Sequence, residues 1–290
     1  MAALAEWIGA NAVTTLCIAS VVLWIVIGVV WRLLERAWDP LWRLASRTWT
    51  ALARSAFAER LRHVPWVKNS LANSLTVGRY VGLHALASLT VAIVGFVVFV
   101  EIADEITEHG TLAQFDAQLA RALSTHVDLP TLETFALVTH LGDPAVTIGL
   151  AVLVALYLLV RRWWVHAVVW VLATGVGAIL TKLLKHHFER TRPIHDHALT
   201  AAEGWSFPSG HASGAVLVYG MLGYLLIRHV PRPWHIPIAL ITVTVVTFVG
   251  FSRVILQVHY LSDVIAGFAI AAGWAALCAS ALEVVRRQAR

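Results

Sequence analysis

The run VIAGFAIAAGWAALCA, residues 264–279, carries no charged side chain, and the chain of 290 residues holds several such runs. A backbone placed in hydrocarbon must satisfy its own N–H and C=O groups, so segments of this length and composition fold as membrane-spanning helices. Only 13% of residues are charged and 59% are apolar, with mean hydropathy +0.73, whereas ordinary soluble domains carry about 25% charged residues. The sequence predicts an all-α, polytopic membrane protein. Its seven spans fall near residues 12–31, 80–101, 143–160, 163–184, 211–228, 235–252 and 260–282. The N-terminus MAALAEW has no basic residue, so the first apolar run is expected to be a retained helix rather than a cleaved signal. Cys17 and Cys278 lie in apolar runs at opposite ends of the chain and offer neither a disulfide framework nor a zinc spacing.

The net charge of +5 does not point to nucleic acid, because the basic residues sort by membrane side. With seven spans the loops alternate sides, and sixteen of the 22 Lys and Arg residues fall on one of them. Positive charge marks the cytoplasmic side and contacts anionic lipid headgroups there. The N-terminus is therefore expected outside and the C-terminus inside. Outside lie Arg121, Lys182, Lys185, Arg190, Arg192 and Arg253, together with the acidic stretch EIADEITEH, residues 101–109. Arg32, Arg36, Arg43, Arg47 and Arg54 recur on one helical face among Trp38, Leu41, Leu44 and Trp49. Residues 33–65, with Asp39-Pro40 as a start signal, predict an amphipathic helix lying in the interface. Residues 111–129 predict a second, outer interfacial helix, and Gly142-Asp143-Pro144 marks a break before the third span.

Three short segments carry chemistry, and all three are expected at the outer ends of helices. The first is Lys185-x6-Arg192-Pro193, the second Pro208-Ser209-Gly210-His211, and the third Ser252-Arg253-x5-His259-x3-Asp263. His259 and Asp263 are four apart and share a helical face, where a carboxylate can accept the imidazole N–H, fix its tautomer and stabilise its cation. An ionisable group such as Asp263 inside an apolar span costs on the order of 3 kcal/mol and is a functional-site hypothesis by default. A proline-serine-glycine turn before a helix presents unpaired N–H groups and a partial positive charge, which bind anions. His211, in that first turn, is placed to protonate a leaving group. Lys185, Arg192 and Arg253 add three cations on the same side, and the Arg forks match phosphate oxygens. Any one of these residues alone reads as a helix cap or a snorkelling side chain. Together they describe a pocket for an oxyanion, flanked by two imidazoles with different tasks.

In this order the three segments resemble the signature of the type 2 phosphatidic acid phosphatase (PAP2) superfamily, which also includes vanadium-dependent haloperoxidases. Every signature position is filled. The resemblance implies a six-helix membrane core over residues 80–290, to which residues 1–79 add one span and the Arg/Trp helix. It implies that His259 is the nucleophile, forming a phosphohistidine, and that Asp263 orients it. His211 would be the general acid and later help activate water. Lys185, Arg192, Ser209, Gly210 and Arg253 would hold the phosphoryl oxygens, with no metal or other cofactor. His186, His187, His195 and His197 form a local cluster, read as lining the mouth of the site rather than binding metal. Bacterial members of this architecture act on lipid phosphates and pyrophosphates at the outer leaflet of the plasma membrane. The expected substrate is thus undecaprenyl pyrophosphate, phosphatidylglycerol phosphate or phosphatidic acid. A phosphotransferase would use the same intermediate, and a haloperoxidase would hold vanadate in the same pocket. A transporter would place its charges near the bilayer midplane, whereas here they gather at one face.

Overall fold

The computed structural model describes residues 1–26, 28–29, 32, 65–108, 110–194, 199–200 and 203–288. The chain begins with α1 (Ala2–Ala10) and α2 (Ala12–Val26), which meet at an angle of 93°. The bend falls at Asn11, whose side-chain amide donates to the Trp7 carbonyl at 2.9 Å and so closes α1. Then follow α3 (Pro65–Thr107), α4 (Thr111–His126), α5 (Leu129–Thr139) and α6 (Pro144–Val160). The motif-bearing half consists of α7 (Trp164–Phe188), α8 (Gly210–Ile227), α9 (His235–Ile255) and α10 (Leu261–Gln288). Among the described residues there is no strand.

Among the described residues, six stretches are long and apolar enough to cross a membrane: Leu86–Thr107, Leu129–Val160, Trp164–Phe188, Gly210–Ile227, Arg232–Ile255 and Leu261–Arg286, with the bent pair α1–α2 a seventh if it is taken as one span. Apolar side chains such as Phe96, Leu153, Ile179 and Leu183 point outward and are exposed. That is the surface a bilayer requires, since lipid is as apolar as the bundle interior. The protein is a multi-pass membrane protein. Tight approaches between small residues hold the bundle. A side chain at Gly273 of α10 would stand 3.2 Å from the Ala92 backbone of α3, the kind of contact that drives helix association in lipid. Trp170, 1% exposed, donates its indole N–H to the Ala151 carbonyl at 2.9 Å and ties α7 to α6. At the end of the bundle remote from the three motifs, buried Glu283 pairs with Arg228 at 2.8 Å and accepts from Tyr224 at 2.8 Å.

Four details differ from the sequence expectation. Helix α1 was not anticipated, and it packs on α4 through buried Ala5 and a Glu6–His126 contact of 3.4 Å. Helix α3 continues through EIADEIT instead of ending near residue 101, with Glu101 and Asp104 outward and Ile102 and Ala103 buried. Residues 129–139 are helical, so the third span begins before the Gly142-Asp143-Pro144 break. The start signal is Asp128, whose carboxylate accepts the Thr131 N–H at 3.2 Å, followed by Pro130. The helix expected over 111–129 forms as α4, and Phe115, Leu119 and Leu123 pack it into the bundle against Ala212, Val254 and Val264. The Arg/Trp stretch of residues 33–65 falls outside the described residues except at its last position.

The α1–α4 seam depends on Gly9, where an added Cβ would stand 2.5 Å from the Ala122 Cβ and 2.8 Å from its carbonyl carbon. Gly9→Val is therefore expected to destabilise the protein by about 1–3 kcal/mol, read as a lower unfolding midpoint in detergent. Gly28→Ala, at a position with nothing within 4 Å, should leave the midpoint unchanged or higher.

Candidate active site

The three motifs sit at helix ends that meet at one end of the bundle. Lys185 lies in the last turn of α7, which stops at Glu189 in the left-handed region (φ 45°). The chain then doubles back, with the Ser206 N–H donating to the Arg190 carbonyl at 2.8 Å. Ser209 caps α8: its hydroxyl accepts the Ala212 N–H at 3.4 Å, and its own N–H donates to the Asp263 carbonyl at 3.0 Å. Gly210 and His211 bring the first-turn N–H groups of α8 to the cavity. At the end of α9 the chain turns through Gln257, also at positive φ (55°), and the N–H of His259 returns to the Arg253 carbonyl at 3.2 Å. This turn delivers His259 just before α10, with Asp263 in the first turn of that helix.

His259 is 3% exposed. Its Nδ1 lies 3.3 Å from Asp263 Oδ2 and its Nε2 lies 3.1 Å from an Arg192 guanidinium nitrogen. A carboxylate faces one nitrogen and an obligate donor faces the other, so the neutral ring carries its proton on Nδ1 and leaves Nε2 unprotonated, accepting from Arg192. Burial pushes the His259 imidazole down to about 3, with Arg192 and Lys185 adding to the effect and Asp263 opposing it. The ring is therefore unprotonated at neutral pH, as a nucleophile must be.

Arg192 meets this nitrogen, and Lys185 and Arg253 line the same cavity. Arg192 also donates to the Val258 carbonyl at 2.6 Å and to the Gly204 carbonyl at 2.9 Å, and Lys185 to the Trp205 carbonyl at 2.6 Å. Arg253 donates to the Thr139 hydroxyl at 2.8 Å, while its Nε is buried with no partner among the described residues. Such a donor calls for an acceptor. Among the described residues, no carboxylate lies within ion-pair distance of Lys185, Arg192 or Arg253, so their charge is available to an anion. His211 Nε2 contacts Asp143 Oδ1 at 3.1 Å, and the other Asp143 oxygen contacts His140 at 2.7 Å.

These groups face a cavity of about 700 Å³. Its polar end holds Lys185, Arg192, Gly210, His211, Arg253 and His259, and its apolar arm runs along Ile148, Val152 and Ala155 of α6 to Trp170 and Val218. Of the eight residues anticipated from sequence, these six line the cavity. Ser209 and Asp263 stand behind them, both with no exposure. His186 and His187 lie in the last turn of α7, and His195 and His197 fall outside the described residues. The sequence reading missed Asp143, Ser206, Arg190 and Asp116. Asp143 was legible as the acid before Pro144, and Arg190 sits two residues before Arg192. Asp116 is the lone acid on the buried Phe115–Leu119–Leu123 face of α4.

The PAP2 superfamily matches residues 163–287, the stretch that holds all three motifs. The chain belongs to this superfamily. Among PAP2 proteins, phosphatidylglycerophosphatase B of Bacillus subtilis (strain 168) is 34% identical over 136 residues, which cover 46% of this chain and 66% of that protein. The crystal structure of a transmembrane PAP2-type phosphatidylglycerolphosphate phosphatase from Bacillus subtilis superposes with a TM-score of 0.59 at 29% identity, over 64% of this chain and 93% of that one. The crystal structure of Aquifex aeolicus LpxE gives a TM-score of 0.43 at 22% identity, over 55% of this chain and 93% of that one. The match thus takes in almost the whole length of the Bacillus subtilis phosphatase structure and about two thirds of this chain.

A charge-assisted hydrogen bond contributes about 1.5–3 kcal/mol. Arg253→Met is accordingly expected to weaken orthovanadate binding by about 10- to 150-fold, measured by calorimetry on the purified protein. Unchanged affinity would remove Arg253 from the anion pocket.

Proposed function

We propose that the protein is a membrane lipid phosphatase that works through a phosphohistidine without a metal or other cofactor. The observation that carries this reading is the unprotonated Nε2 of His259, which shares one cavity with Lys185, Arg192 and Arg253, none of them in ion-pair contact with a carboxylate among the described residues. In the first step Nε2 bonds to phosphorus, the P–O bond to the leaving group breaks, and His211 gives that oxygen a proton. In the second, His211 takes a proton from water, whose oxygen bonds to phosphorus as the P–N bond breaks. Lys185, Arg192, Arg253 and the N–H groups at Gly210 and His211 face the phosphoryl oxygens as charge builds on them. Ser209 acts from behind by capping the helix that presents those N–H groups. Asp143 holds His211, and Asp263 balances the imidazolium charge of the phosphohistidine.

The apolar arm supports a lipid substrate. From Asp143 to Ala155 it follows α6 for about 18 Å at the helical rise, within a membrane-crossing segment. A lipid tail enters it sideways from the bilayer while the phosphate reaches the helix ends. The similarity to phosphatidylglycerophosphate phosphatase of Bacillus subtilis, in sequence and in structure, favours that substrate class, with undecaprenyl pyrophosphate and phosphatidic acid next. The distribution of Lys and Arg supports a site on the extracytoplasmic face of a bacterial plasma membrane. Residues 80–290 form the catalytic unit and residues 1–79 an addition to it.

Phosphate release from a panel of lipid phosphates and pyrophosphates tests this reading. His259→Ala should abolish release, and His211→Ala should lower kcat by about 100- to 10,000-fold. EDTA should leave the rate unchanged; a rate lost on chelation and restored by one divalent ion would defeat the metal-free mechanism.

A further inference from the structure

Arg190 does not line the cavity. Its guanidinium is forked between two carboxylates whose side chains have no exposure. One nitrogen donates to Asp263 Oδ1 at 2.6 Å and to the Ser262 hydroxyl at 2.8 Å, and the other to Asp116 Oδ2 at 2.9 Å. The face of the guanidinium lies 4.2 Å from the Tyr260 ring centre. Asp116 also receives the Ser262 N–H at 3.2 Å and the Ser262 hydroxyl. Burial raises the pKa of the Asp116 carboxyl, and the Ser262 hydroxyl and N–H and the Arg190 guanidinium oppose that rise.

The two oxygens of Asp263 are divided by this arrangement. Oδ1 belongs to Arg190, while Oδ2 takes His259 Nδ1 at 3.3 Å, the Tyr260 N–H at 2.9 Å and the Ser206 hydroxyl. Whatever holds Oδ1 sets the rotation of the carboxylate and hence the direction of Oδ2. The charges are divided too. Arg190 paired with Asp263 alone would cancel its negative charge, but Asp116 takes a share of the cation. The remaining charged groups close to His259 are Arg192, from the segment after α7, and Lys185, from α7. Neither is placed to orient Asp263.

We propose that Asp116 and Arg190 are positioning residues. The pair holds Asp263 in the rotamer that receives the Nδ1–H of His259, and it leaves enough negative charge on Asp263 to stabilise the imidazolium formed when Nε2 bonds to phosphorus. The second clause rests on the phosphatase reading, and the first does not. Helix α4 thereby belongs to the working site although it contributes nothing to the cavity wall. Helix α1 also packs against α4, with Ala5 in the same apolar cluster as Phe115 and Leu119.

The test uses the full-length protein in detergent with Asp116→Asn, which keeps the shape of the side chain, Arg190→Lys, which keeps the charge but not the fork, and the double variant. Active sites are counted by the phosphoenzyme burst, so misfolded protein does not enter kcat. Each single variant should lose about 10- to 100-fold in kcat with the orthovanadate dissociation constant within about twofold of wild type. The double variant should be no worse than the poorer single, because both act through one carboxylate. Histidine-selective nitrogen NMR should show His259 as the Nδ1–H tautomer in the wild type and as a tautomer mixture in both single variants. Unchanged kcat per active site, a fall in kcat matched by an equal loss of orthovanadate affinity, or the wild-type tautomer in both variants would each overturn the proposal. If the wild type releases no phosphate from any lipid on the panel, the phosphatase reading fails, and the tautomer comparison still decides whether the pair positions His259.

Discussion

Asp263 has no contact with solvent and lies at the start of a membrane-crossing helix. A carboxylate in that position is tolerable only if donors surround it. The donors come from separate pieces of chain: Arg190 from the segment after α7, Ser206 from the approach to α8, and Tyr260 and His259 from the turn before α10. Its backbone carbonyl takes the Ser209 N–H at 3.0 Å. Satisfying this one residue therefore pulls all three motif-bearing segments to one point. The meeting of Lys185, Arg192, His211, Arg253 and His259 at one cavity is a consequence of solving that burial problem.

The arginines divide into two electrostatic classes on this basis. Arg190 is matched by two carboxylates, so it fastens structure together and offers little charge to a ligand. Lys185, Arg192 and Arg253 donate to backbone carbonyls, a hydroxyl and an imidazole. Neutral acceptors hold a cation in place without cancelling it, and a low-dielectric setting strengthens what remains. A dianionic phosphate entering such a site would meet the charges of Lys185, Arg192 and Arg253 in the same cavity as His259. Exchanging the partners of Arg190 and Arg192 would keep the same residues and lose the function.

That distinction marks the limit of what the sequence shows. The spans from about residue 80 onward were readable because hydrocarbon leaves little choice of structure, and the three motifs were readable because their spacing is local. Lys185, Arg192, Gly210, His211, Arg253 and His259 were grouped on that spacing, and all six line one cavity. Asp116 was not found, since it is joined to its partner across 146 residues. No periodicity records a contact of that range. Helix α5 was missed for a different reason: its apolar residues run on into α6, and the Asp128–Pro130 start signal is visible only once the Gly142-Asp143-Pro144 kink is known not to begin the span. The left-handed residues Glu189 and Gln257, which re-aim the chain toward the site, carry no glycine to announce them.

The apolar arm of the cavity is built by another device. Helix α7 widens into a π turn at Leu172–Val176 and α8 does the same at Val216–Gly220. Thr174 and Gly175 from the first turn and Leu217 and Val218 from the second line the arm, and a side chain at Gly177 would stand 2.5 Å from Leu217. A π turn inserts a residue into the helical repeat and shifts the axis, which costs hydrogen-bond geometry and recurs at functional sites. Two of them facing each other open a space between helices that regular packing would close, and apolar walls keep it suited to a hydrocarbon chain. The headgroup end is thus set by charges at helix termini and the tail end by irregularities in helix interiors. Changes in lipid preference are accordingly expected to map to the two π turns and the facing residues of α6, while the phosphoryl chemistry stays with the motifs.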